Sequence, residues 1–335
     1  MKKSLWFSSM LVIFISLFIV SGVSAKLVIK YGHVVPEKHP IHIGALAFKE
    51  FMEKKSGGEI EIQVFPMGQL GGERSMAEQV QAGTLPMANI GIPVMTAFVP
   101  QVTAFILPFI LPDIKTANAL LDSEMTTKLF EFMPPKGFIP LGFASSEFRD
   151  LTNTKRPVRK TEDLRGLKIR VMETPILVDT FKQLGATPTP MPFPEVYQAL
   201  QQGVIDAQEN PVPMSVLMKF TEVTKYATLT HHILQAQLIV VSPDLWNKLT
   251  KDQKEIFKEG IALHQKTGRE EGFKYLEDGL AKAKEVHKVA IIELTPAERE
   301  GFRKALSPVY EKYRKTIGET LYDEFMKKVE ALSKK

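Results

Sequence analysis

No cysteine occurs anywhere in the chain, which excludes disulfides, thiol nucleophiles and thiolate metal sites together. Attachment of lipid to an N-terminal cysteine is excluded for the same reason. An excess of one sign of charge is lacking too: 43 Lys and Arg stand against 38 Asp and Glu, a net charge of +5. Without Lys2 and Lys3 the balance is about +3 and spread along the chain, which describes a solvated surface and not a nucleic-acid footprint. Common hydrolase signatures are missing as well, with no Gly-x-Ser-x-Gly elbow, His-Glu-x-x-His pair or Ser-x-x-Lys nucleophile. Past the N-terminus no stretch is apolar for long enough to cross a bilayer; Val99 to Leu111 is interrupted by Pro100 and Pro108.

What the N-terminus does contain is a leader pattern. Lys2 and Lys3 precede an apolar run from Leu5 to Val20, and Val23-Ser24-Ala25 offers small residues for cleavage. Residues 1–25 are therefore expected to be a signal peptide, with the mature chain starting near Lys26. A secreted protein with no lipid tether is retained only where a second membrane encloses it, which points to a periplasm.

About 310 mature residues exceed what one hydrophobic core serves, so two lobes are expected. Alternation marks a strand at Leu27 to Gly32, helical spacing a helix at Ile41 to Lys54, and a second strand spans Ile60 to Phe65. A helix from Glu73 to Gln81, stopped by Gly83, leads into a strand at Leu85 to Ile90. The result is βαβαβ, an open parallel sheet. A similar run recurs as helix Val196 to Gln202, Gly203, and strand Val204 to Ala207, preceded by strand Leu167 to Val171 and a helix around Leu177 to Leu184. Phe138 to Ala144 and Gln235 to Val241 read as segments crossing between the lobes. From Lys251 to about His287 there is no proline and apolar residues recur at helical intervals, so one long helix can brace both lobes, with Gly268 and Gly272 as plausible bends. The expected assignment is 26–146 plus 236–275 for lobe I and 147–235 plus 276–330 for lobe II.

Candidate chemistry is sparse. Gly68-Gln69-Leu70-Gly71-Gly72 has the context of a phosphate loop but neither its third glycine nor a Lys-Ser/Thr, and reads as a turn. His39 with His42, and His231 with His232, have no carboxylate at ligand spacing, so solvated or capping roles are expected and no metal site. Arg170, in the strand Leu167 to Val171, is the informative residue. A guanidinium near the carboxyl end of a parallel strand faces the ligand crevice of an open α/β sheet and matches a carboxylate in shape. An internal ion pair with Glu173 or Asp206 is the equal alternative. Arg149 can line the cleft or pair with Asp150 at the surface, and Asn210, held extended by Pro211, can bind ligand or close a turn. For an enzyme, Glu209, Glu73 and Asp206 are the available acids or bases.

These residues coincide with motifs of a known family. The chain resembles the solute-binding proteins of tripartite ATP-independent periplasmic (TRAP) transporters, the DctP type, from Lys26 to about Glu330. The resemblance rests on Gln69–Arg74 (QLGGER), Arg149–Asn153 (RDLTN), Leu164–Val171 (LRGLKIRV), Pro190–Tyr197 (PMPFPEVY) and Asp206–Pro211 (DAQENP). It implies a two-lobed α/β periplasmic-binding-protein fold of the Venus-flytrap kind, with hinge strands and a long helix bracing both lobes. It further implies a non-enzymatic carrier, free of cofactor and metal, that delivers a small organic carboxylate to a small and a large membrane subunit. Arg170 would be the two-toothed clamp, Arg149 and Asn210 would assist, and Glu73, Phe193 and His33 complete the expected ligand-contacting set. Members that bind sialic acid carry polar residues where Val34 and Gly91 stand here, so a heavily hydroxylated sugar acid is disfavoured. A dicarboxylate, a 2-oxo acid or an acid with an apolar body is left, and a dicarboxylate requires a second cation from His33, Lys38 or Arg149. Service to a sensor kinase instead of a transporter is the alternative role.

Overall fold

The computed structural model describes residues 26–334; the expected signal segment 1–25 lies outside the described residues. Among the described residues nine strands run in chain order as β1 (Leu27–Gly32), β2 (Ile60–Phe65), β3 (Met87–Gly91), β4 (Ile139–Asn153), β5 (Lys168–Val171), β6 (Thr187–Pro190), β7 (Ala207–Asn210), β8 (Tyr226–Val241) and β9 (Ala290–Glu293). They form one sheet in the order β2-β1-β3-β8-β4-β7-β5-β6, with β9 beside β8. β1 pairs in parallel with β2 and β3, as β5 does with β6 and β7. Each trio is bordered by a long antiparallel strand, β8 beside β3 and β4 beside β7, and β4 and β8 pair antiparallel at the middle. The two halves are thus the same arrangement met back to back, and this is the two-lobed α/β fold expected from the sequence.

The repeated helix–glycine turn is physically the same device in both halves. Gly83 and Gly203 each follow a helix, Glu73–Gln81 and Val196–Gln201, with φ of 75° and 70°, the left-handed region in which a side chain is strained. One strand differs from expectation. Val204 to Ala207 is not the strand of the second half; Ala207-Gln208-Glu209-Asn210 is, and all four residues are buried. Apolar patterning misplaces it because this strand buries polar side chains that bond to one another, while Val204 is exposed.

The helix Lys251–Glu285 is uninterrupted and starts in a reciprocal cap between Thr250 and Gln253. It packs on the helix Pro40–Lys55, on β4 and on the helix Val212–Leu217, touching elements of both halves. Gly268 and Gly272 lie inside it, and only the first serves packing. A methyl group at Gly268 would sit 2.5 Å from the Ala144 carbonyl oxygen, whereas one at Gly272 would meet nothing within 4 Å. Gly268→Ala is therefore expected to destabilise by about 1–3 kcal/mol through overpacking. Gly272→Ala should stabilise by up to about 1 kcal/mol through helix propensity. Urea unfolding of the two variants checks the opposite signs. The C-terminal helices also contact both halves: Phe325 meets Phe105 edge-on with ring centres 6.0 Å apart, and the Tyr313 hydroxyl donates to Asp179 at 2.6 Å.

Histidines are buried in the first half, contrary to the solvated role expected for His42. His42 Nδ1 lies 3.0 Å from His33 Nε2, and His264 Nε2 lies 3.0 Å from the Tyr31 hydroxyl. His39 does cap the helix Pro40–Lys55, accepting from the Ile41 amide at 3.2 Å. Burial pushes His33 down from 6.5 to about 3 and His264 to about 4. Both rings are neutral when folded and take up protons only on unfolding, so stability falls as pH drops from 6.5 toward those values. Asp150, pushed up to about 8 by burial, acts in the opposite direction over its own range. The difference isolates the ring: the Tm of His264→Gln is expected to change less between pH 7 and pH 5 than that of the parent protein.

Candidate functional site

The carboxyl ends of the parallel strands of both halves converge on the middle of the sheet. There a small cavity is lined by residues drawn from both halves of the sheet. Val34 and Val35 follow β1, Met172 follows β5 and Asn210 ends β7, while Arg149 comes from β4 and Gln235 and Gln237 from β8. This is the crevice position of an open α/β sheet, built twice from opposite sides.

Arg170 is 2% exposed. Its Nε and Nη2 donate to the Met191 carbonyl oxygen at 2.8 and 2.6 Å, which fixes the plane of the guanidinium. Phe193 lies beside it, with the ring centre 5.9 Å from Cζ. Nη1 is buried and has no hydrogen-bond partner among the described residues. Neither Glu173 nor Asp206 pairs with Arg170 at salt-bridge distance: Asp206 Oδ1 is 3.2 Å from Lys155 Nζ, and its Oδ2 accepts the Lys168 amide at 3.1 Å. Burial lowers Arg170 from its ordinary value to about 10, leaving it a cation at neutral pH.

Arg149 is the opposite case. It is fully buried and does not pair with Asp150; its Nε and Nη2 grip Glu209, with Nη2 2.7 Å from Oε1, and Nη1 donates to Gln235. His232 adds Nε2 at 3.2 Å from Glu209 Oε2 and is itself held by Thr230 at 2.8 Å, so this histidine too is buried and not solvated. Burial alone would raise Glu209, but Arg149 and His232 outweigh it and hold the carboxyl at about 2. Arg149 sits where the pairing register of β4 and β8 shifts, between Arg149 and Leu151, the kind of irregularity that re-aims a side chain.

Glu73 opens the helix Glu73–Gln81 and is buried against the cavity. Its Oε1 accepts the Gly91 amide at 3.0 Å and Gln237 Nε2 at 3.1 Å; Oε2 has no hydrogen bond among the described residues. Burial pushes this carboxyl above the ordinary range, opposed by those two bonds and by the nearby Arg149 and Arg170. The absent side chain at Gly91 is what admits the pair, since a methyl group there would lie 3.0 Å from Met172 Cε and 3.4 Å from both Glu73 Oε1 and Gln237 Nε2.

Of the expected ligand-contacting residues, Arg170, Arg149, Asn210, Glu73 and Phe193 line one cavity. His33 does not: it is buried and its Nε2 meets His42 Nδ1. Lys38 is exposed and outside the cavity. Residues not anticipated are Val35, Met172, Met214, Gln235 and Gln237. The two glutamines carried a signal, since Gln235-Ala236-Gln237 puts two polar side chains on one face of an otherwise apolar strand.

Comparison with known proteins agrees with this architecture. The model of the DctP family, bacterial extracellular solute-binding protein family 7, matches residues 31–316. A solute-binding protein of Verminephrobacter eiseniae is 33% identical over 281 residues, covering 83% of this chain and 82% of that protein. Among solved structures, a TRAP periplasmic solute-binding protein of Sulfurospirillum deleyianum with bound succinate superposes with a TM-score of 0.85 at 34% identity, covering 90% of this chain and 98% of the other. The sugar acid binding protein of Advenella mimigardefordensis in complex with galactonate gives a TM-score of 0.88 at 29% identity, covering 92% and 99%. The chain belongs to the DctP family of bacterial extracellular solute-binding proteins, family 7, the solute-binding component of TRAP transport systems.

Proposed function

We propose that the protein binds a small organic carboxylate on Arg170 in the periplasm and hands it, chemically unchanged, to the paired membrane subunits of a TRAP transporter. The observation that carries this reading is the oriented Arg170 guanidinium, buried at the crevice with one nitrogen left free of protein partners. An anion that meets it becomes desolvated together with it, where a charge-assisted bond is strong. An acid or base for catalysis is scarce beside it, since Glu209 is held by Arg149 and Asp206 lies outside the cavity, which leaves Glu73.

Capture works by closure of residues 26–146 plus 236–275 over 147–235 plus 276–330, about β4 and β8 where they pass between the halves. In the form described, contacts already join the two halves: the Thr96 and Thr174 hydroxyls are 2.7 Å apart, and Gly68 and Gly72 face Pro194 and Pro192. Closure is selected because the ligand makes contacts to both halves only when they meet. A thermal-shift screen against organic acids tests the reading: at least one acid should raise the Tm by preferential binding to the folded form, and mass spectrometry of the recovered acid should show it unaltered. A recovered product, or no shift across carboxylates of this size, would overturn it.

A further inference from the structure

The cavity holds a carboxylate of its own, and its charges fix what else the ligand can carry. Building on the carboxylate-binding function just proposed, we infer that the ligand is a monocarboxylate bearing a hydroxyl or ammonium donor that meets Glu73, and not a dicarboxylate. A dicarboxylate needs two free cations, and among the described residues the cations lining the cavity are Arg149 and Arg170. The charge of Arg149 is already paired with Glu209, and each of its nitrogens donates to Glu209 or Gln235. His33 and Lys38 stand outside. One cation is left for one carboxylate.

Glu73 decides the rest of the ligand. Glu73 is 7% exposed, has one oxygen satisfied by Gly91 and Gln237, and lines the cavity with no cation bonded to it among the described residues. A second carboxylate on the ligand would be confined in a small desolvated space with this group, and like charges there repel strongly. A bare aliphatic acid would leave the acceptor buried and unpaired, which also costs affinity. A hydroxyl or an ammonium satisfies it. With an ammonium, Arg149 and Glu209 cancel, and Arg170 and Glu73 match the two ends of a zwitterion. In the remaining wall Val34, Val35, Met172, Met214 and Phe193 offer no partner for further hydroxyls, and the side chains of Asn210, Gln235 and Gln237 are already bonded to Gln208, Arg149 and Glu73, so the body between the two polar ends is largely apolar.

Calorimetry with four-carbon probes tests the inference: butyrate, its 2-, 3- and 4-hydroxy derivatives, the corresponding amino acids, and succinate. At least one hydroxy or amino acid is expected to bind tenfold or more tightly than both butyrate and succinate. Which of the two sets leads identifies the donor. In Glu73→Gln that margin over succinate should shrink at least tenfold, because the repelling charge is gone while the side chain keeps its shape. Succinate or butyrate as the tightest probe overturns the inference and leaves the carboxylate-binding function standing. An unchanged margin over succinate in a folded Glu73→Gln protein overturns it also. Failure of every acid to bind overturns both.

Discussion

Replacing Arg170 by alanine is expected to weaken ligand binding by roughly 2–5 kcal/mol, about 30- to several thousand-fold in Kd. The size follows from burial. The guanidinium is 2% exposed, so a ligand carboxylate brought to it gives up its water and regains the loss only through charge-assisted bonds. Without the arginine the acid is desolvated and unpaired. The fold should survive, because the side chain's protein bonds go to a single carbonyl, that of Met191, and the variant loses a buried cation along with them. Arg170→Lys should recover little. An ammonium is a compact point charge and cannot hold Met191 on one edge while presenting a second nitrogen in the same plane to the ligand. Calorimetry with whichever acid the thermal screen selects gives the answer, with circular dichroism confirming the fold. Equal affinity in parent and Arg170→Ala proteins would remove the clamp from the mechanism.

How much of this was legible in the chain depends on whether a signal is local. The strands at Leu27 and Ile60 and the helix at Glu73 alternate or recur with apolar residues, so their bounds read correctly from the sequence. The long helix from Lys251 is legible for the same reason, and Arg170 announces itself as a charge inside an apolar strand. β7 does not, since its buried side chains on both faces include Gln208, Glu209 and Asn210, of which Gln208 bonds to Thr152, Ser215 and Asn210 and Glu209 to Arg149. Spacing cannot show that Arg149 meets a carboxylate 60 positions away and not its neighbour Asp150. His33 misled for the related reason that a polar residue next to a strand end can face the crevice or the core, and which it does depends on a partner, His42, on the following helix.

Glu209 carries the largest expected effect on stability. It is 0% exposed and its arginine partner 1%, so neither charge can return to water if the other is removed. Glu209→Ala strands a guanidinium in the interior and is expected to cost about 3–5 kcal/mol, a fall in Tm of roughly 6–20 °C. The attraction between the two is not itself the measure of this loss, since both were desolvated to form the pair. A double variant, Arg149→Met with Glu209→Leu, removes both charges and fills the space with apolar side chains. It should therefore be more stable than Glu209→Ala alone. The same pair predicts acid behaviour opposite in origin to that of the histidines. Glu209 is held at about 2, below its ordinary 4.5, so its contribution is complete above the unfolded value and is lost only as pH falls from there through the folded one. Thermal unfolding of the parent and both variants at pH 7 and pH 3 separates the two sources. If Arg149 and Glu209 act as one unit, the double variant loses less stability on acidification than the parent does; an equal loss would mean the ion pair has no part in acid sensitivity.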